Sequence, residues 1–101
     1  MRGEVVKEDE IRRKMLHLSE SGKNYEEALK LSIDYAESEI MDLRVNALHC
    51  FGYIARVYKR LDLGVALPLL RKAEVDPDIM VSAAARDALD DIEVFLPGFK
   101  A

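Results

Sequence analysis

Two stretches of the sequence decide the fold: LRVNALHCFGYI (residues 43–54) and VSAAARDALDDI (residues 81–92). Both begin with an aliphatic residue, and in both an alanine, a large apolar residue and an isoleucine follow four, eight and eleven positions later. Apolar residues at this spacing share one face of an α-helix. The second stretch begins 38 residues after the first, so the sequence predicts two equivalent helices.

The helices that precede these two stretches also match. At the same offset, ALKL (residues 28–31) aligns with ALPL (residues 66–69). Self-similarity over two consecutive helices indicates a stack of helical hairpins. We therefore predict an all-α single domain of about five helices, with an N-terminal capping helix in residues 1–22, hairpins in residues 24–60 and 61–96, and a tail in residues 97–101.

The pattern also predicts where each helix begins and ends. Asn24 is a good N-cap with Glu27 three positions on. Asp76 followed by Pro77 indicates the start of the last helix, which Asp76 and Asp78 should both cap. Pro68 should kink the fourth helix or mark a late start. The expected bounds are 6–18, 25–36, 41–60, 63–74 and a fifth helix from residue 77.

Stacked hairpins leave apolar surface at both ends of the stack, and the sequence offers a cover for each. At one end we expect a set of apolar residues from the first helix, namely Val6, Ile11, Met15 and Leu18. At the other end the segment VFLPGF (residues 94–99) or a partner would cover the stack. The run Ala83-Ala84-Ala85 indicates a close contact between helices, because small side chains let helices approach.

The stretches DPDIMVSAAARDALDDI (residues 76–92) and DLRVNALHCFGYI (residues 42–54) resemble the second helix of a HEAT repeat. The resemblance covers residues 24–95 and rests on an Asp-rich turn, a valine, small residues and a late leucine, with Arg44 and Gly52 in the first unit. It implies a short HEAT-like stack whose second helices form a concave surface that often binds ligands. HEAT-like stacks serve many partners, so the resemblance implies no single function.

Composition excludes several classes of function. The net charge is −4, and residues 61–101 hold eight acids against four bases, which argues against direct binding of nucleic acid. We expect a soluble cytoplasmic protein, because the apolar runs are too short to span a membrane and no signal sequence is present. One cysteine, Cys50, and two histidines offer no disulfide and no metal site, so we expect no cofactor and no enzymatic activity.

Polar residues of the two second helices form a candidate binding surface. On the first, Asn46, His49, Tyr53 and Arg56 recur three or four positions apart. At the 38-residue offset, His49 and Tyr53 correspond to Asp87 and Asp91, and Asp90 lies beside them. The alternative interpretation is an ordinary solvated helix face. Tyrosine and arginine are enriched at binding hot spots, which favours a partner-binding surface.

An acidic protein-binding module suits a basic partner, because opposite charges accelerate association. In size, fold type and charge the chain resembles small bacterial immunity proteins, which implies binding and neutralisation of a basic nuclease-type toxin by covering its active-site surface. The alternatives are a small HEAT-like adaptor or regulatory subunit, for which the tail around Phe95, Leu96 and Phe99 could supply a second surface, and a HEAT-like enzyme such as a lyase. In isolation we expect a monomer or a weak dimer.

Overall fold

The computed structural model describes the backbone of residues 2–99 and the side chains of residues 7–99. This part of the chain forms five α-helices and no strand: α1 (Arg2–Ser21), α2 (Tyr25–Tyr35), α3 (Met41–Tyr58), α4 (Leu63–Glu74) and α5 (Ile79–Phe95). The predicted all-α fold of about five helices is confirmed. The second hairpin keeps the spacing of the first, since α4 begins 38 residues after α2 and α5 begins 38 residues after α3.

The helices lie in two layers. Helix α3 packs against α1, α2 and α5, and α4 packs against α5. Contacts near both ends of α3 show that α5 runs parallel to it: Arg44 lies 3.7 Å from Asp76, and Lys59 lies 4.4 Å from the ring centre of Phe95. Helices α1, α3 and α5 thus form one layer and α2 and α4 the other, which agrees with overall Cα dimensions of 46 × 34 × 17 Å.

The core lies between the two layers, and its positions repeat between the hairpins. Phe51 and Ile54 of α3 are fully buried, and so is Ile92, which corresponds to Ile54 at the 38-residue offset. Met15 of α1 is also fully buried, while Ile11 and Leu18 are partly buried against the core. The fourth predicted capping residue, Val6, lies outside the side chains that the structure describes.

Of the two aspartates expected to cap α5, only Asp78 does so, and the helix begins at Ile79, two residues after the expected start. Asp76 does not cap the helix; its carboxylate instead accepts a hydrogen bond from the N–H of Asp78 at 2.8 Å and lies beside Arg44. Asp78 is the N-cap, and its Oδ1 accepts the N–H groups of Met80 and Val81. The turn formed by the first aspartate therefore delays the helix to the second.

Three smaller expectations also differ from the structure. Helix α3 ends at Tyr58, because Lys59 adopts a left-handed conformation with φ 56°. Helix α4 already begins at Leu63 and contains Pro68, so a late start at Pro68 is wrong, while the kink stays a prediction. In the alanine run, Ala84 and Ala85 are buried but Ala83 is exposed.

The tail packs back on the domain, but at a different place from the one predicted. Leu96 is buried, and Phe95 and Phe99 are partly buried, whereas Val94 is exposed. These residues lie at the C-terminal ends of α3 and α5 and leave the outer face of α5 open. Residues 100 and 101 of the predicted tail lie outside the described residues. No described helix is both long and apolar enough to cross a membrane.

Candidate partner-binding face

The α3 part of the predicted surface is a column of three side chains. The rings of His49 and Tyr53 stack at a centroid distance of 6.1 Å with an interplanar angle of 10°. One turn further along, the guanidinium carbon of Arg56 lies 5.0 Å from the Tyr53 centroid, within the range of a cation–π contact. Arg56 also lies 3.7 Å from Glu20 of α1. The column is thus held in place from two sides, by its own helix and by α1.

The α5 part reaches the column because α3 and α5 approach closely at Gly52. A Cβ atom placed on Gly52 would lie 3.0 Å from the Cα of Ala88 and 2.7 Å from Oδ2 of Asp91. These distances are shorter than ordinary van der Waals contacts, so the absence of a side chain permits this packing. As a result, the carboxylate of Asp91 lies over α3 next to Tyr53.

The charges of this surface influence one another. Partial burial raises the pKa of Asp91, Asp87 and Asp90 raise it further by repulsion, and Arg56 and His49 oppose the shift. Burial also raises the pKa of Tyr53, to which Glu20 and Asp91 add while Arg56 lowers it. Five of the seven predicted residues are therefore within electrostatic range of Asp91, namely His49, Tyr53, Arg56, Asp87 and Asp90.

The surface keeps a surplus of negative charge. Among the ion pairs formed by residues 7–99, none involves Asp87, Asp90 or Asp91. Asp87 and Asp90 are exposed and Asp91 is half-buried. The one arginine of the surface, Arg56, is already shared with Glu20. Negative charge beside an aromatic ring is thus open to a cationic partner.

Two predicted residues lie at the margins of this surface. Asn46 donates a hydrogen bond of 2.6 Å to the carbonyl oxygen of Asp42, and its side chain lines a groove against α1 with Asp9 and Arg12. Asp90 lies on the outer face of α5, at the position that corresponds to Gly52. We name the central set His49, Tyr53, Arg56, Asp87 and Asp91 the α3–α5 face. Glu20 adjoins it and was missed, because α1 lies outside the 38-residue repeat.

The buried polar groups near this face lie in the core. Burial raises the pKa of the Cys50 thiol to about 11, so the thiol stays protonated at neutral pH. Its Sγ donates toward the carbonyl oxygen of Met15 at 3.8 Å. The hydroxyl of Ser19 is buried, and the structure shows no hydrogen-bond partner for it. A protonated, fully buried thiol is a poor nucleophile.

Among the described residues, no three His, Cys, Asp or Glu side chains lie close enough together to hold a metal ion. Comparison with known proteins gives no match to any family model, curated protein or solved structure.

Proposed function

We propose that this chain is a non-catalytic protein-binding module whose α3–α5 face binds a basic protein surface. The observation that carries the proposal is the stacked pair of His49 and Tyr53 beside Asp91, with the exposed carboxylates of Asp87 and, at the margin, Asp90. No ion pair of the described residues neutralises these three acids. Binding hot spots combine an aromatic anchor with charges that become paired only in the complex. The α3–α5 face has both components within one helix pair.

The sign of the charge selects the partner. The face has two acids, with Asp90 and Glu20 adjoining it, and its one arginine is shared with Glu20. This surplus of negative charge repels phosphate groups, so a nucleic acid would bind the face poorly. A basic protein surface is attracted at long range, which raises the association rate without additional contacts. We expect association with such a partner to slow steeply as the salt concentration rises.

A nuclease-type toxin is the partner that we propose on these grounds. The active-site surface of a nuclease must be cationic where it binds RNA or DNA. An acidic domain that covers this surface takes the place of the substrate and neutralises the enzyme. We therefore propose that the chain is an immunity protein, and the charge and the aromatic residues of the α3–α5 face support this proposal.

The second candidate is an adaptor, which needs two separate surfaces. The tail is a poor second surface, because Leu96 is buried and Phe95 and Phe99 are partly buried. The exposed apolar residues at the N-terminal ends of α3 and α5 are a better second surface, and they favour the adaptor.

The test is capture of partners by the tagged protein from its native cell extract, with mass spectrometry to identify them. We expect one basic, nuclease-like protein that high salt releases. Asp87→Lys with Asp90→Lys should abolish its capture, and Tyr53→Ala should weaken it. Asp62→Lys is the matched control, because Asp62 is an exposed acid in the turn before α4 and is not part of the face.

Purified partner then allows a direct assay of its nuclease activity with and without the chain. Inhibition by wild type and by Asp62→Lys, but not by the double reversal, supports the immunity function. Capture of an acidic or multi-subunit partner whose binding the double reversal does not change contradicts the immunity function and favours the adaptor.

A further inference from the structure

The N-terminal ends of α3 and α5 carry exposed apolar side chains. In α5, Ile79 is 76% exposed and Met80 is 60% exposed, and Val75 in the preceding turn is 79% exposed. Ile40 and Met41 occupy the equivalent place at the start of α3 and are also exposed. Because the two helices run parallel, both groups lie at the same edge of the domain. We name these five residues the apolar edge.

A cleft of about 320 Å³ separates the two turns at this edge. Its apolar lining comes from both hairpins and includes Leu69, Ala73 and Val81. Two ion pairs cross between the hairpins here, one between Lys72 and Glu37 and one between Arg44 and Asp76. The cleft is therefore bounded by two charged pairs that cross between the hairpins.

The surroundings of the apolar edge are acidic. Five carboxylates lie in the two turns and the first turns of α3 and α5, and we name them the acidic rim: Glu37, Glu39, Asp42, Asp76 and Asp78. The base within these segments is Arg44, which pairs with Asp76, and Lys72 at the end of α4 pairs with Glu37. No ion pair of the described residues involves Glu39 or Asp42. An apolar centre inside a polar border is the usual organisation of a protein interface.

We infer that the apolar edge is a second docking surface, and that it binds an amphipathic basic segment of a protein partner. Large apolar side chains of the segment would pack on Ile79, Met80 and the apolar part of the cleft. Lysine or arginine residues on its flanks would pair with the unpaired Glu39 and Asp42. Anionic lipid is the wrong occupant, because the acidic rim repels it.

This surface is distinct from the α3–α5 face of the proposed function. Ile79 precedes Asp87 by eight residues, which places them about 12 Å apart along the axis of α5. That separation exceeds the screening length of about 8 Å at physiological ionic strength. Substitutions at one surface should therefore leave binding at the other nearly unchanged, so the two proposals can fail independently.

The experiment selects ligands from a display library of random linear peptides on the wild-type protein. We expect enriched peptides that combine large apolar residues with lysine or arginine. Their affinities are measured by fluorescence anisotropy at physiological ionic strength. Ile79→Ser with Met80→Ser should weaken binding at least about tenfold, whereas Val94→Ser, at an equally exposed position near the other end of α5, should not change it.

Two further double variants test which acidic residues bind the lysine or arginine residues of the peptides. Glu39→Gln with Asp42→Asn should weaken binding and flatten its salt dependence, whereas Asp87→Lys with Asp90→Lys should leave the peptide affinity unchanged. Acidic or uncharged enriched peptides, indifference to Ile79→Ser with Met80→Ser, or no enrichment would overturn the inference. Stronger binding to phosphatidylserine-containing vesicles than to the peptides would overturn it in favour of a membrane surface.

Discussion

Substitution of Gly52 by alanine tests the close approach that brings the two halves of the α3–α5 face together. The added methyl group would lie 3.0 Å from the Cα of Ala88 and 2.7 Å from Oδ2 of Asp91. The carboxylate can rotate away, but the backbone of α5 cannot. We therefore expect α5 to shift away from α3 and Asp91 to leave its place beside Tyr53.

Two opposing terms set the size of the effect. Alanine in place of glycine stabilises a helix interior by about 1 kcal/mol. Overpacking of a tight core contact costs about 1–3 kcal/mol, and a contact with backbone lies toward the upper end because no side-chain rotation relieves it. The net expectation is a loss of about 1–2 kcal/mol in the free energy of unfolding. At about 4–8 °C for each kcal/mol, the melting temperature should fall by roughly 4–16 °C.

Urea denaturation followed by circular dichroism at the helical band measures this change. Gly64→Ala is the matched control, because a Cβ there would meet only Oδ1 of Asp62 at 3.4 Å in the first turn of α4. The control should be neutral or stabilised by up to about 1 kcal/mol. If Gly52→Ala unfolds at the same urea concentration as wild type, or at a higher one, the steric argument is refuted.

Three other substitutions test how the domain is held together. Met15→Ala should cost about 2–5 kcal/mol in urea denaturation, because Met15 is fully buried where α1 joins the core. The free energy of unfolding of wild type should fall as the pH rises from 9 towards 11, since the unfolded Cys50 thiol ionises near 9.0 while burial raises its folded pKa to about 11. Urea titrations of Cys50→Ala at these pH values should lack that component of the decrease. Asp78→Ala should cost about 1 kcal/mol by loss of the α5 cap, whereas Asp78→Asn should retain most of the stability in thermal melts.

The sequence predicted the helices well because the local signals agree with one another. Asn24 accepts the N–H of Glu27 as the capping pattern indicates, and the apolar spacing that begins at Leu43 and Val81 marks the buried faces of α3 and α5. The same reasoning could not tell which of two nearby aspartates is the N-cap of α5. Both Asp76 and Asp78 can cap, and in the structure Asp76 instead accepts the N–H of Asp78 and lies beside Arg44.

The candidate face was predictable in part, because helical spacing fixes which residues of one helix are neighbours. The 38-residue offset then related His49 and Tyr53 to Asp87 and Asp91. Contacts between unlike elements carry no such signal, so the pairing of Arg56 with Glu20 needed the structure. The exposure of the apolar edge also needed the structure, since the sequence does not show whether an isoleucine at the start of a helix, such as Ile79, is buried or exposed.

The outer face of α5 carries charged residues that no other described helix covers, so these charges are available to a partner. Arg86, Asp90 and Glu93 are exposed, and the corresponding positions of α3, namely Leu48, Gly52 and Ala55, are buried. In α3 these positions belong to the tightly packed surface between neighbouring helices. A further hairpin stacked on α5 in the same way would have to bury three charges, each at a cost of several kcal/mol unless it were paired.

Apolar residues at these three positions should therefore cause the outer face of α5 to bind a second copy of the chain. We expect the triple substitution Arg86→Leu, Asp90→Ala and Glu93→Ala to associate with itself in sedimentation velocity at rising concentration, because it exposes a contiguous apolar surface. The control Arg86→Gln, Asp90→Asn and Glu93→Gln removes the same charges without adding apolar surface and should sediment like wild type. If the apolar triple variant also sediments like wild type, the outer face of α5 is not the counterpart of the packed surface of α3. The charges on α5 would then need an explanation other than the prevention of further stacking.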